Sequence, residues 1–223
     1  MRRISLKLIN DVPLSVRAAD EIRKNIISGG YAQGQKLTEE ECAAVLGLSR
    51  VCVREAFLKL QEEGLLVKRV NKGTSVAEFT REDVKDIYYL RLSLEKMCST
   101  LCFERGTLPI EKMESIFLRM EDISRKDDMK PMELLNEDLR FHATIVDAAG
   151  NSRAAKVWHD IQGQVLTVLF PVQAEYTKRH DKEHNVNQHK FLMDAFRTGD
   201  AAVAHPVLER HILSSMQTLL TLY

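Results

Sequence analysis

Residues 38–63 read TEEECAAVLGLSRVCVREAFLKLQEE, and the fold turns on how that stretch is punctuated. Thr38 with Glu41 three residues on is a capping-box spacing, in which each side chain satisfies a free backbone donor of the other, so a short helix opens there. Gly47 stops it after Leu46. Ser49 then caps a further helix that the spacing carries to Glu63, with Gly64 as its stop signal. Upstream, Val16, Ala19, Ile22 and Ile26 recur at helical intervals over residues 15 to 28, until Gly29-Gly30 breaks the pattern. Downstream, Leu65 to Arg69 reads as a strand, Asn71-Lys72-Gly73 as a tight turn, and Thr74 to Ala77 as the returning strand. A helix-turn-helix followed by a small basic β-wing is therefore expected.

On the helix opened by Ser49, Val53, Ala56, Phe57 and Leu60 share one side and must pack on the two preceding helices. Arg50 and Arg54 are four residues apart and fall together on a neighbouring, outward face. The first turns of the second helix of a helix-turn-helix meet base edges in the major groove, where arginine bonds guanine through both acceptors. Thr38 and Ser49, at the two helix N-termini, are candidates to hold phosphate. Lys68, Arg69 and Lys72 on the wing would add contacts that ignore sequence and weaken with salt. A plain solvated face salt-bridged through Glu55 is the alternative for the two arginines taken alone; turn, cap and wing converging on them favour DNA.

Composition is compatible with this and decides little. The 223 residues carry 44% hydrophobic and 29% charged side chains, the profile of an ordinary globular protein. Net charge is zero, yet residues 1–76 hold 13 Lys/Arg against 9 Asp/Glu and the remainder 19 against 23, so the halves differ in sign. Cys42, Cys52, Cys98 and Cys102 form no CxxC pair and read as reduced thiols. No run is apolar for long enough to cross a membrane or to form a signal-peptide core, which predicts a cytoplasmic protein with no membrane partner.

The pattern changes near residues 77 to 80, and from Thr80 onward only helical periods follow. Val84, Ile87, Leu94, Cys98 and Leu101 lie on one stripe, and Arg91 falls on that same stripe. A guanidinium facing a core needs a structural carboxylate or an anionic ligand. The structural pair is the commoner arrangement; Arg91 is also the candidate effector residue. A helix from Pro131 to Ala149 turns Leu134, Asp138, Phe141, His142 and Ile145 inward, with Asp138 and His142 one turn apart. His189 shares a face with Leu192 and Phe196, and His211 lies near Leu208 and Ile212 on the last helix. One such histidine alone is more often a core or surface residue. One carboxylate and three imidazoles from three helices suit a divalent first-row ion: zinc foremost, with nickel, iron or manganese also fitting. His159, His180, His184 and His205 read as surface residues, Met113, Met120 and Trp158 as core, and Pro206 as a residue in the first turn of the final helix.

From Val16 through Val76, the motifs Leu37-Thr38-Glu39-Glu40, Leu46-Gly47-Leu48-Ser49-Arg50, Val53-Arg54-Glu55-Ala56 and Gly64-Leu65 resemble the N-terminal domain of GntR-family regulators. Asp138-x3-His142 before Ala149-Gly150-Asn151, with His189 and His211 eleven residues either side of Asp200, resembles the FCD domain of the FadR-like branch. The resemblance implies a mainly α protein, with a winged helix-turn-helix over residues 1–78 and an antiparallel all-α bundle, compact and six-helical, over 79–223. It implies that Arg50 and Arg54 read the operator and that Gly73 lets the wing tip approach the minor groove. It further implies that Asp138, His142, His189 and His211 hold a metal ion against which a small carboxylate binds, in a homodimeric repressor of palindromic operator DNA. One departure is visible: Cys52 stands where many relatives have proline. The alternative is a metal-dependent enzyme acting on a small carboxylate, but no separate base, nucleophile or phosphate loop accompanies the four candidate ligands.

Overall fold

A computed structural model describes residues 12–178 and 183–223. The head begins with α1 (Leu14–Ile27), which buries Ala18, Ala19, Ile22, Ile26 and Ile27. After β1 (Lys36–Leu37) come α2 (Glu39–Leu46) and α3 (Arg50–Glu62), then the hairpin β2 (Leu66–Arg69) and β3 (Gly73–Val76). The sheet order is β1-β3-β2, all antiparallel, with Lys36 opposite Ser75 and Leu66 opposite Val76. Two residues of strand at β1 are too few to leave an alternation, so their pattern does not betray them in advance.

Two local readings shift here. Thr38 caps α2 by accepting from the Glu41 N–H at 3.1 Å, but the Glu41 carboxylate takes the Thr38 hydroxyl at 2.7 Å rather than its backbone N–H. A full reciprocal box forms instead between Thr80 and Asp83, where the helix Arg81–Arg105 begins. The wing turn also moves back one residue: Lys72 N–H donates to the Arg69 carbonyl, Asn71 takes φ 60°, and Gly73, at φ 81°, is already in β3. Both positive values relieve a tight three-residue connection, and a side chain at 73 would strain it.

The second core is a bundle of six helices among the described residues: α4 (Arg81–Arg105), α5 (Ile110–Ser124), α6 (Pro131–Ala148), α7 (Ser152–Lys178), α8 (Glu183–Arg197) and α9 (Ala201–Leu219). Trp158, Tyr88, Phe141 and Phe196 are fully buried within it, as are Met113 and Met120. The last helix starts earlier than proline placement suggests. Asp200 caps it by accepting from Ala202 N–H at 2.8 Å, which leaves Pro206 inside the helix. A proline there deprives the helix of one internal hydrogen bond.

The head rests on α7. Gln164 donates from Nε2 to the carbonyl of Glu63, the C-cap of α3, at 2.9 Å. Beside it, a Cβ built on Gly163 would lie 2.8 Å from Leu65 Cδ1, so the glycine is what lets the head approach so closely.

Candidate functional site

The first candidate surface lies on α2, α3 and the wing. Arg50 and Arg54 project from the first two turns of α3 with side chains 67% and 69% exposed. Their nearest carboxylates are Glu40 at 3.7 Å and Glu39 at 3.8 Å, both on α2, and not Glu55. Such long, wet ion pairs hold their partners by about 0–1 kcal/mol, so both guanidinium groups are available to another anion. Lys68, Arg69 and Lys72 are exposed on the wing, and Arg69 is 3.9 Å from Glu78. Thr38 and Ser49 are exposed at the two helix N-termini. Ser49 accepts from the Cys52 N–H at 3.3 Å, and its hydroxyl lies 3.2 Å from Cys52 Sγ. A proline at 52 would have no N–H to give, so cysteine supplies the capping bond of this helix.

The second candidate site is inside the bundle. Asp138 and His142 sit one turn apart on α6, His189 comes from α8 and His211 from α9. One nitrogen of each histidine lies within 4.8 Å of the others, with His142 Nε2 and His211 Nε2 3.1 Å apart. Asp138 Oδ1 is 3.8 Å from His142 Nε2 and 3.6 Å from His189 Nε2. All four predicted ligands thus converge.

Sequence reasoning missed the residue that orients them. Glu95, fully buried on α4, receives His142 Nδ1 on one carboxylate oxygen at 2.5 Å and Arg91 Nε on the other at 2.8 Å. The stripe on α4 runs Val84, Ile87, Tyr88, Arg91, Glu95, Cys98, Ser99, Cys102. Its signal was legible: Glu95 stands four residues after Arg91, the spacing at which a helical carboxylate and guanidinium meet. Leu94 and Leu101, expected on that stripe, are only half-buried.

Electrostatics follow from burial and these pairs. Burial pushes His142 down, against the pull of Glu95, and pushes His211 well below the ordinary histidine value, with the neighbouring imidazoles adding to it. Burial would raise Asp138 and Glu95, but their neighbours outweigh it: His189 foremost for Asp138, and His142 then Arg91 for Glu95. Both carboxyl groups lie below their usual range. Arg91 is held protonated despite burial by Glu95. With His142 Nδ1–H given to Glu95, its Nε2 carries a lone pair toward His211 Nε2, an arrangement that a shared cation relieves.

Beside the histidines lies a cavity of about 420 Å³, lined by Arg91, Asp138 and His211 and by residues of α6, α7, α8 and α9. Arg91 Nη2 is buried with no hydrogen-bond partner among the described residues. Its guanidinium carbon lies 5.6 Å from the ring centroids of both Tyr88 and Trp158. Arg91 thus pairs with a structural carboxylate, Glu95, and also lines the cavity. Of the other histidines, His159 is exposed and bonds Asp147 at 2.9 Å, while His205 is half-buried, 3.1 Å from Ser99 Oγ. His180 and the side chain of His184 lie outside the described residues.

A winged helix-turn-helix joined to a six-helix bundle with a cavity beside its histidines defines a two-part class of DNA-binding protein. Residues 14–76 match the model of "Bacterial regulatory proteins, gntR family" and residues 86–214 that of the "FCD domain". The chain belongs to the GntR family of bacterial regulatory proteins, in its FCD-containing form. It is 26% identical over 206 residues, 92% of this chain and 88% of the relative, to a probable D-xylose utilization operon transcriptional repressor of Paenarthrobacter nicotinovorans. It is 29% identical to the gluconate operon transcriptional repressor of Bacillus subtilis (strain 168), covering 88% and 81% of the two chains. Among solved structures, the E. coli protein McbR/YncC superposes with a TM-score of 0.77 at 19% identity, covering 96% and 100% of the chains. The GntR chain from Rhodococcus sp. RHA1 also gives 0.77, at 22% identity and 94% and 98% coverage, so the whole two-part fold is shared. These relatives are transcription regulators, which places the chain with them and not with metal-dependent enzymes.

Proposed function

We propose that this chain is a cytoplasmic, homodimeric repressor whose bundle binds a divalent metal ion and a small carboxylate, and whose heads bind a palindromic operator. The observation that carries it is the convergence of three imidazoles and Asp138 beside a cavity edged by the unpartnered Nη2 of Arg91. Asp138, His142, His189 and His211 are the ligands, and Glu95 fixes the His142 ring, an arrangement that raises ligand basicity. Zinc is the first choice for such a nitrogen-rich set, with nickel, iron or manganese as the other candidates. When bound, the ion supplies a positive centre for a ligand's oxygen atoms. Arg91 Nη2 supplies a second, desolvated cation for the same carboxylate.

In the head, Arg50 and Arg54 read base edges, Thr38, Ser49, Lys68, Arg69 and Lys72 hold phosphates, and Gly73 shapes the wing tip. The division falls between residues 78 and 79. A homodimer is supported by the outer face of α4, where Tyr89, Leu90 and Met97 are exposed at helical spacing. Coupling runs through α7, which touches α3 at Gln164 and lines the cavity from Leu169 to Tyr176. Pro171, within the cavity-lining stretch of this helix, is a natural bending point.

The test is elemental analysis of protein purified without chelator, beside a thermal-shift screen of small carboxylates. About one metal ion per chain is expected, lost in His142→Ala and His189→Ala, with at least one acid raising the melting temperature of metal-loaded protein only. Wild-type protein that takes up no divalent metal would refute the metal centre.

A further inference from the structure

The side of α3 turned most directly away from its core is led not by an arginine but by a valine. The helix buries Val53, Ala56, Phe57 and Leu60. At roughly 100° per residue, the opposite side passes through Val51, Glu55, Leu58 and Glu62, with Arg54 on its flank and Arg50 further round. Val51 stands in the first turn and is 67% exposed, as bare as the two arginines. Leu58 is the other bare aliphatic residue on this side, two turns further along. In a helix-turn-helix it is the N-terminal residues of the second helix that meet base edges, and this singles out Val51.

A valine exposed on a helix surface is ordinary and by itself asks for no explanation. What sets this one apart is its place: next to Arg50 and three residues before Arg54, in the turn that carries the base-reading side chains. The inference rests on that reading of the two arginines. With both guanidinium groups at base edges, the short branched side chain of Val51 enters the same groove and can neither give nor accept a hydrogen bond. Against the amino group of adenine or cytosine it would displace water and return nothing. Against thymine it meets the C5 methyl, the apolar group of the major-groove edge. We propose that Val51 is a specificity-determining residue of the operator contact, selecting by methyl-to-methyl packing a thymine that stands beside a guanine read by arginine. The arginines then fix guanine, and the valine fixes its neighbour.

Fluorescence anisotropy tests this on an operator selected with the full-length wild-type protein. Each thymine of a half-site is replaced in turn by deoxyuridine, which removes the C5 methyl and leaves base pairing intact. One thymine beside a guanine is expected to lose about fourfold in affinity. In Val51→Ser the same replacement should cost less than about twofold, while exchanging the neighbouring G·C pair for A·T costs as much as in wild type. A half-site with no thymine sensitive to its methyl, or the full fourfold loss retained in Val51→Ser, overturns the role of Val51. Arg50→Ala and Arg54→Ala on the same duplexes keep the two readings apart. If they weaken binding while every deoxyuridine duplex binds like the parent, the valine inference falls and arginine readout stands. If neither changes affinity, base reading by α3 falls and the valine inference with it. The deoxyuridine series on wild-type protein decides the matter whatever the stability of the valine variant.

Discussion

Arginine is used in two opposite ways in this molecule. Arg50 and Arg54 stand about two-thirds exposed with carboxylates 3.7 and 3.8 Å away, whereas Arg91 is 2% exposed and locked on Glu95 at 2.8 Å. The first pair contributes almost nothing to the fold and is free to exchange Glu39 and Glu40 for phosphate or a base. The second is part of the fold, and only one of its edges remains for a ligand. Distance from water, more than charge, decides whether an ion pair serves stability or recognition.

The sharpest way to break this contrast is to remove the carboxylate from each side. Glu95→Ala leaves a buried guanidinium without its counter-charge and His142 without its orienting acceptor, and should cost about 3–5 kcal/mol in urea unfolding. Glu39→Gln and Glu40→Gln should each change stability by less than about 0.5 kcal/mol in the same measurement. Equal losses on both sides would dissolve the distinction.

Of intermediate size is the effect on DNA. Arg50→Ala or Arg54→Ala should lower operator affinity by about 1–3 kcal/mol, relax preference at one position, and leave the melting temperature unchanged. Lys72→Ala should instead weaken binding to all duplexes alike and reduce the salt slope by about one.

The buried side also predicts a pH response with a definite sign. His142 and His211 have folded-state values below the ordinary 6.5, so the unfolded chain binds more protons as pH falls past that value. Metal-free protein should therefore keep this contribution above about pH 6.5 and lose it progressively toward pH 5. Melting temperatures across that range check it; a rise on acidification would contradict neutral imidazoles in the native bundle.

What was legible in advance follows the same division. The head announced itself because its elements are closed by local chemistry: Gly47, Ser49 and Gly64 punctuate α2 and α3 whatever lies around them. The four bundle residues were legible as inward faces at helical spacing. The β1 strand was not, since its two residues are defined only by pairing with β3. Pro206 misled because its ring suits a first turn, while Asp200 caps the helix earlier. Glu95 went unread because an isolated acidic residue on a core stripe looks like an error of phase until Arg91 and His142 are seen on either side of it. Cys52, unexplained by any motif, acquires a local role only once Ser49 is placed against its N–H.

Coupling between a carboxylate bound in the bundle and DNA bound by the head is the property on which the proposed function stands or falls. Fluorescence anisotropy of a duplex selected on the metal-loaded protein, titrated with and without a saturating acid found by thermal shift, tests it most directly. Operator affinity is expected to change by about fivefold or more, and the change to vanish when the metal is stripped. An unchanged affinity with the acid demonstrably bound would contradict it.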